Sequence, residues 1–532
     1  MTALFSVITP VYEPPLDVLR ETIQSVRNQT FTDWELILVD DNSPSDDVRK
    51  VLRQAAANDR RIQLVERATN GGIVAASNDA LPVSGGAFVA LLDHDDRLAH
   101  TALERMALAI AEHANVDYLY SDEDKIDCDG KHRDVFRKPD WSPERLRHQM
   151  YTCHLSVLRL TVVREVGGFH QGFEGAQDHD LVLRVSERAR EVVHIPEVLY
   201  HWRMVPGSAA LSHDQKPHAW EAGRRAVQAH LDRLGIEAMA ELGAHPGLYR
   251  IRRSVDPMTR VSLIIPTRGS SGIVWGERRC FVVEAVRSVL EKTSMTNIEV
   301  VVVYDEGATP ASTLDELASI CGERYVAVAF KGEFNFSHKC NMGFLASTGD
   351  VVVLLNDDIE VVSEGWLEEL IGPIVQEADV GMTGARLHFS NMTLQHGGHW
   401  YGGSDWTHAY LGAAMDEEAD CGALVMNREA SGATAACAAV RRDVFEEVGG
   451  LTEALPGNFN DIDLSMKIAG AGYRILWMTH SALFHFESRS RERVVHQWEV
   501  DKIVERWGTP GRDRYLPDYV TPTKNPNGQP HP

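Results

Sequence analysis

The chain carries one ordered set of short motifs twice, and this duplication restricts its possible folds more than any other feature. Phe5-Ser-Val-Ile-Thr-Pro10 recurs as Val261-Ser-Leu-Ile-Ile-Pro266, and Val166-Gly-Gly-Phe169 as Val448-Gly-Gly-Leu451. Asp178-His-Asp-Leu181 recurs as Asp461-Ile-Asp-Leu464, and Leu199-Tyr-His201 as Leu483-Phe-His485. The offset widens from 256 residues at the first pair (266 − 10) to 284 at the last (485 − 201). Solenoid repeats run about 20 to 50 residues, so this spacing means two copies of one domain. The second copy carries about 28 extra residues (284 − 256). A chain of 532 residues has room for two large domains.

Each copy alternates short apolar runs with amphipathic stretches. In the first, Phe5–Thr9, Leu36–Val39 and Ala87–Leu92 read as strands, and Asp17–Gln29 as a helix with Val18, Leu19, Ile23 and Val26 on one face. In the second, Val261–Ile265, Ile298–Val303 and Val351–Leu355 read as strands around a helix near Val282–Leu290. Continuously apolar strands separated by helices imply an α/β fold with a mostly parallel sheet covered on both faces. Lys216–Leu234 reads as a packed helix ending at Gly235. The expected division is a first domain over 1–205, a helical connector over 206–260, a second domain over 261–507 and an irregular tail over 508–532.

Lys plus Arg number 53 and Asp plus Glu 77, a net charge of −24, which opposes general nucleic-acid binding. The seven cysteines, Cys128, Cys153, Cys280, Cys321, Cys340, Cys421 and Cys437, form no CxxC pair, so a reducing cytoplasm fits. The N-terminus has no charged-then-apolar leader pattern, and no apolar run reaches the ~18 residues that span a bilayer. The expectation is a cytoplasmic protein that can work at the inner face of the membrane.

In open parallel sheets, ligands sit at the carboxyl ends of the strands, and the acidic clusters fall there. Asp93-His-Asp95 follows one apolar run and Asn356-Asp357-Asp358 the matching one. Alternate carboxylates in extended chain reach one side, where they can share a hard cation, Mn²⁺ or Mg²⁺; the alternative is a turn or helix cap. Asp40-Asp41 and Asp305 end neighbouring runs, where they can meet a nucleotide or form an Asx turn. Asp178 and Asp461 open apparent helices as general-base candidates, whereas Asp180 and Asp463 fit caps. His201 and His485 close the copies as candidate metal or phosphate ligands. Arg203 and Ser208 in the first copy, and Glu487, Arg489 and Arg491 in the second, can hold a diphosphate.

Taken together, each copy resembles a family 2 glycosyltransferase of the GT-A fold. The first carries Ile8-Thr-Pro10-Val-Tyr12, Val39-Asp-Asp-Asn-Ser43, Asp93-His-Asp-Asp96, Tyr120-Ser-Asp-Glu-Asp-Lys125, Lys138-Pro-Asp-Trp-Ser-Pro143, Gln177-Asp-His-Asp-Leu181 and Leu199-Tyr-His-Trp-Arg203. The second carries Ile265-Pro266-Thr267-Arg268, Phe334-Asn-Phe-Ser337, Leu355-Asn356-Asp-Asp-Ile-Glu360, Gln395-His-Gly-Gly398, Asn460-Asp-Ile-Asp-Leu464 and His485-Phe-Glu-Ser488. The resemblance implies nucleotide-sugar contacts from Pro10, Tyr12, Asp40, Asp41, Asp93, Pro266, Thr267, Arg268, Asp305, Asn356 and Asp357. It implies metal ligands at Asp95, His201, Asp358 and His485, and catalytic bases at Asp178 and Asp461.

It further implies an inverting transfer from nucleotide-diphosphate sugars, dTDP-rhamnose or a UDP-sugar among them, to a lipid-linked or oligosaccharide acceptor in bacterial polysaccharide, O-antigen or rhamnan assembly. The competing expectation keeps one catalytic copy and makes the other a glycan-binding or scaffolding module. A nucleotidyltransferase would need a glycine- and lysine-rich phosphate loop after the first strand, which Thr9–Asp17 lacks. Neither a GxSxG elbow nor a Walker A motif is present.

Overall fold

The computed structural model describes residues 3–127, 129–204, 217–486 and 494–517. The chain divides into two compact units, one of Met1–Ser142, Leu146–Gly235 and Met239–Ile251, the other of Pro143–Arg145, Ile236–Ala238 and Arg252–Pro532. The candidate ligands Ser208, Glu487, Arg489 and Arg491 lie outside the described residues.

The first unit is built on a sheet of order Ile62–Glu66, Trp34–Asp40, Phe5–Val11, Phe88–Leu91, Ser156–Arg159, Tyr118–Ile126, Val192–Arg203, Arg97–Leu98. The second repeats that order as Tyr325–Phe330, Ile298–Asp305, Val261–Thr267, Val351–Leu355, Cys437–Arg441, Val380–His388, Arg474–His485, Ile359–Val361. Register repeats as well. Phe5 stands opposite Trp34 and Phe88, just as Val261 stands opposite Ile298 and Val351, all in parallel pairs. Both units are therefore one α/β fold. In each, four parallel strands lead into the mixed half, where an antiparallel strand sits between the fourth strand and a second parallel pair.

The strand Val261–Thr267 is buried along its whole length. Val261, Leu263 and Ile265 join one apolar cluster and Ile264 the other, because alternate side chains point to opposite faces and helices cover both. Each such side chain contributes roughly 1.5–3 kcal/mol through burial.

The repeated Val-Gly-Gly has a steric reason. Both glycines adopt positive φ after a short helix, at 86° and 68° for Gly167 and Gly168, and at 72° and 63° for Gly449 and Gly450. A Cβ on Gly168 would lie 2.6 Å from Asn78 Oδ1, and one on Gly450 would lie 2.8 Å from Asn341 Oδ1. Those asparagines bracket the next residue. Asn78 Oδ1 accepts from Phe169 N at 2.9 Å, and Asn341 Oδ1 accepts from Leu451 N at 3.0 Å.

The extra length of the second copy lies in a hairpin, Ser271–Val274 with Glu277–Cys280, and in the stretch between Val380–His388 and Cys437–Arg441. That stretch holds the strands Leu394–His396, His399–Gly402, Asp405–His408 and Arg428–Glu429. The region expected as a connector contains the helix Pro217–Leu234, with Gly235 beyond it at φ 69°, and the hairpin strands Ala238–Leu242 and Tyr249–Arg253. The start of the expected tail is anchored: buried Asp513 accepts from Tyr401 N at 2.8 Å and Ser431 Oγ at 2.6 Å. Among the described residues, no helix is long and apolar enough to cross a membrane.

Candidate active sites

In the first unit, Asp40 and Asp41 turn their carboxylates to internal partners. Asp40 Oδ1 accepts from Ser43 N at 3.0 Å, the Asx-turn geometry. Asp41 accepts from Gly71 N at 2.9 Å and Gly72 N at 2.8 Å, and it pairs with Arg67. It thus holds the start of the helix Gly72–Ala80. Tyr12 is exposed at the end of the first strand, and the Pro10 carbonyl meets His94 Nδ1 at 3.2 Å.

The next strand ends in three acids. Asp96 is fully buried and accepts from Tyr200 OH at 2.6 Å and Arg203 N at 2.7 Å. Burial, then the like charges of Asp93 and Asp95, push its carboxyl well above the usual range. Burial and Asp93 raise Asp95 as well, partly offset by His94 and Arg203. Arg203, expected at a diphosphate, donates to Asp95 O at 2.9 Å and to Glu21 at 2.6 Å.

Asp178 sits in the first turn of the helix Gln177–Ser186. Burial first, then Asp93, push it up to about 6, while His154 and a 3.0 Å hydrogen bond from Gln177 Nε2 oppose the rise. Gln177 is itself fixed, accepting from Gly175 N at 2.7 Å. His154 Nε2 lies 3.8 Å from Asp93, and its ring stacks on Tyr200. This groups Asp93, Asp96 and His154, with Asp178 close enough to feel Asp93. Asp180 instead pairs with Arg184 at 2.5 Å.

His201 is brought to Asp124. The strands Tyr118–Ile126 and Val192–Arg203 pair with Asp124 opposite His201, so Asp124 Oδ1 meets His201 Nδ1 at 2.7 Å while its Oδ2 meets His132 Nδ1 at 2.8 Å. The sequence offered Asp124 only inside a motif, with no role, and gave no sign of His132 or His154. Their partners come from register, which no local pattern reveals.

In the second unit, the end of Val351–Leu355 is ordered around His485. Its Nδ1 meets Gln395 Oε1 at 2.8 Å, an acceptor, which places the ring proton on Nδ1. Nε2 then presents its lone pair 3.0 Å from Asn356 Nδ2 and 3.1 Å from Asp358 Oδ1. Strand register sets this up: Ile359 stands opposite His485, and Phe486 N donates to Asp358 O at 2.8 Å.

Asp357 accepts from Thr267 Oγ1 at 2.6 Å, and burial, then Asp358, push it up to about 7. Pro266 is buried within its strand and Arg268 is exposed just beyond it. Asp305 pairs at 2.8 Å with the buried Lys339, which also donates to Thr267 O at 2.8 Å.

Asp461 opens the helix Asn460–Gly470, where its Oδ1 accepts from Ile462 N at 2.9 Å. Its Oδ2 lies 3.9 Å from His399 Nε2. His399 comes from the second copy's extra strand pair, which has no match in the first copy's sequence. Burial lowers His399 to about 4 and His396 well below the usual imidazole range. Asp463 is bound by Thr452 at 2.5 Å, Arg506 at 2.7 Å and Trp507 at 2.8 Å.

The donors fit a divalent cation. In the second unit a carboxylate and a correctly tautomerised imidazole converge, and buried Asn356 Oδ1 beside them has no hydrogen-bond partner. In the first, the acids crowd one another: burial and then their like charges raise Asp96, and burial and Asp93 outweigh His94 and Arg203 at Asp95.

The glycosyl transferase family 2 model matches residues 6–167 and 262–449, one segment on each copy. The chain belongs to that family. Across 98% of its length it is 40% identical to an uncharacterized protein, y4gI, of Sinorhizobium fredii, covering 57% of that protein. It is 32% identical across 98% of its length to the O-antigen biosynthesis protein RfbC of Myxococcus xanthus, covering 40% of it. The family-2 chain thus spans about half the length of these relatives. Among solved structures, S. aureus TarS aligns with 43% of this chain and 40% of its own, at 21% identity and a TM-score of 0.35.

Proposed function

We propose that the chain is a bifunctional inverting glycosyltransferase, with each unit moving a sugar from a nucleotide-diphosphate donor to a growing bacterial surface glycan. The observation that carries this is the recurrence, in two units of identical strand order, of a strand-end acid cluster with an aspartate opening a later helix: Asp93, Asp95 and Asp178, then Asp357, Asp358 and Asp461. The relation to an O-antigen biosynthesis protein supports the polysaccharide setting. On this reading the protein works at the cytoplasmic face of the membrane on a lipid-linked or oligosaccharide acceptor, with dTDP-rhamnose or a UDP-sugar as donor.

The acceptor hydroxyl gives its proton to Asp178 or Asp461 while its oxygen bonds to the sugar C1. The C1–oxygen bond to the diphosphate breaks on the opposite face, which inverts the anomeric centre. Asp178, held near 6 when the cation is absent, is ionised at neutral pH yet basic enough to take that proton. Gln177 keeps its carboxylate aimed. Mn²⁺ or Mg²⁺, held by Asp93 and Asp95 in one unit and by Asp358, His485 and Asn356 in the other, would neutralise charge on the departing diphosphate.

Separate D178N and D461N variants test the reading through linkage analysis of the product. Each is expected to abolish a different linkage. A variant that leaves product composition and yield unchanged makes its unit a glycan-binding or scaffolding module.

A further inference from the structure

We propose that His396, His399 and His408 form a binding site for a transition-metal dication of the Zn²⁺ class, separate from the acidic cation site at Asp358. His399 and His408 belong to a strand pair without a counterpart among the described strands of the first copy, and His396 ends a strand placed as His132–Phe136 is in the first, so no duplicated motif accounts for the set. Each offers a ligating atom, and the three atoms lie within 4.8 Å of one another. The ring centroids are 4.9 to 5.3 Å apart pairwise. His396 and His399 are 0% and 2% exposed, and His408 is half-buried.

The donor set is all imidazole. Nitrogen ligands suit Zn²⁺, Co²⁺ or Cu²⁺, whereas Mg²⁺ and Mn²⁺ prefer oxygen, so this cluster and the Asp358 site would select different ions. The ligands stand on fixed backbone. His399 and His408 face each other across the antiparallel pair His399–Gly402 and Asp405–His408, and His396 ends the strand before them. One outer contact already orients a ring, Tyr401 OH meeting His399 Nδ1 at 3.0 Å, whereas Thr434 N, which donates to His396 Nε2 at 3.3 Å, has to release that ring when the ion binds.

Without the ion, His396 Nδ1 and His408 Nδ1 lie 2.7 Å apart and share a proton. Loading through His396 Nδ1 moves that proton to Nε2 of the same ring, at the expense of the long contact from Thr434. His399 Nε2 lies 3.9 Å from Asp461, so the site shares a wall with the candidate base. Binding stands independently of the transfer reading, because it needs no sugar.

The test uses the full chain without an affinity tag, stripped of metal and loaded with one equivalent of Zn²⁺. X-ray absorption at the zinc edge is expected to show three imidazole nitrogens at about 2.0–2.1 Å. A shell with one imidazole or none overturns the proposal. Titration with Co²⁺ supplies the second readout. An intense four-coordinate visible band is expected in wild type and D358N, and its loss in H408Q, whose half-buried position tolerates the change. A band that survives in H408Q, or disappears in D358N, overturns it too.

Discussion

Replacing Asp178 with Asn should stabilise the metal-free first unit at neutral pH while abolishing its transfer. The carboxyl is raised from 3.8 to about 6, chiefly by burial and secondarily by Asp93. A group that binds its proton more tightly in the folded state loses folding stability as pH rises between its unfolded and folded values. About two pH units correspond to about 3 kcal/mol, an upper bound because Asp178 keeps some exposure. The neutral amide of D178N removes that penalty and can still accept from Gln177. In urea unfolding with chelator present, the first unit's transition should move to higher denaturant at pH 7.5 by about 1–3 kcal/mol. The gain should vanish near pH 4, where Asp178 is protonated in the folded wild type. A D178N variant that is neutral or destabilised at pH 7.5, or a gain that is the same at both pH values, refutes the assignment of a strained acid at this position.

Three further outcomes follow from particular contacts. Gln395→Leu removes the acceptor that meets His485 Nδ1 and should weaken one Mn²⁺ affinity roughly 10–100-fold by calorimetry; unchanged affinities would separate Gln395 from metal binding. Arg184→Met strands the buried Asp180 carboxylate and removes donors to Val166 O and Gly168 O, at an expected cost of about 3–5 kcal/mol in urea unfolding, with a loss under 1 kcal/mol counting against it. Gln177→Leu removes a bond to the charged form of Asp178, so its titration, followed by carboxyl NMR in the metal-free chain, should move up by roughly half to one unit.

Much of the architecture was legible because duplication makes weak local signals reinforce each other. The strand runs beginning at Phe5 and Val261 lie at corresponding places in sheets of the same order, and the second glycine of Val-Gly-Gly recurs because Asn78 and Asn341 leave no room for a Cβ. The acids were legible as a group, but their partners were not. Asp41 faces the amides of Gly71 and Gly72, and His201 faces Asp124, through contacts set by loop path and strand register rather than by residue type. His154 and His399 were invisible for the same reason. Each reaches an acid cluster from a segment without strand-end signature, and the two segments do not correspond between the copies.

The central claim is that each unit grips a divalent ion and a nucleoside diphosphate at its own strand-end acids. Anomalous scattering from crystals of the full chain grown with Mn²⁺ and UDP measures this directly. The account predicts a manganese peak bridging diphosphate oxygens to the Asp93–Asp95 carboxylates, and another beside Asp358 and His485. Diphosphate bound in either unit away from those carboxylates, with no manganese beside them, would contradict it.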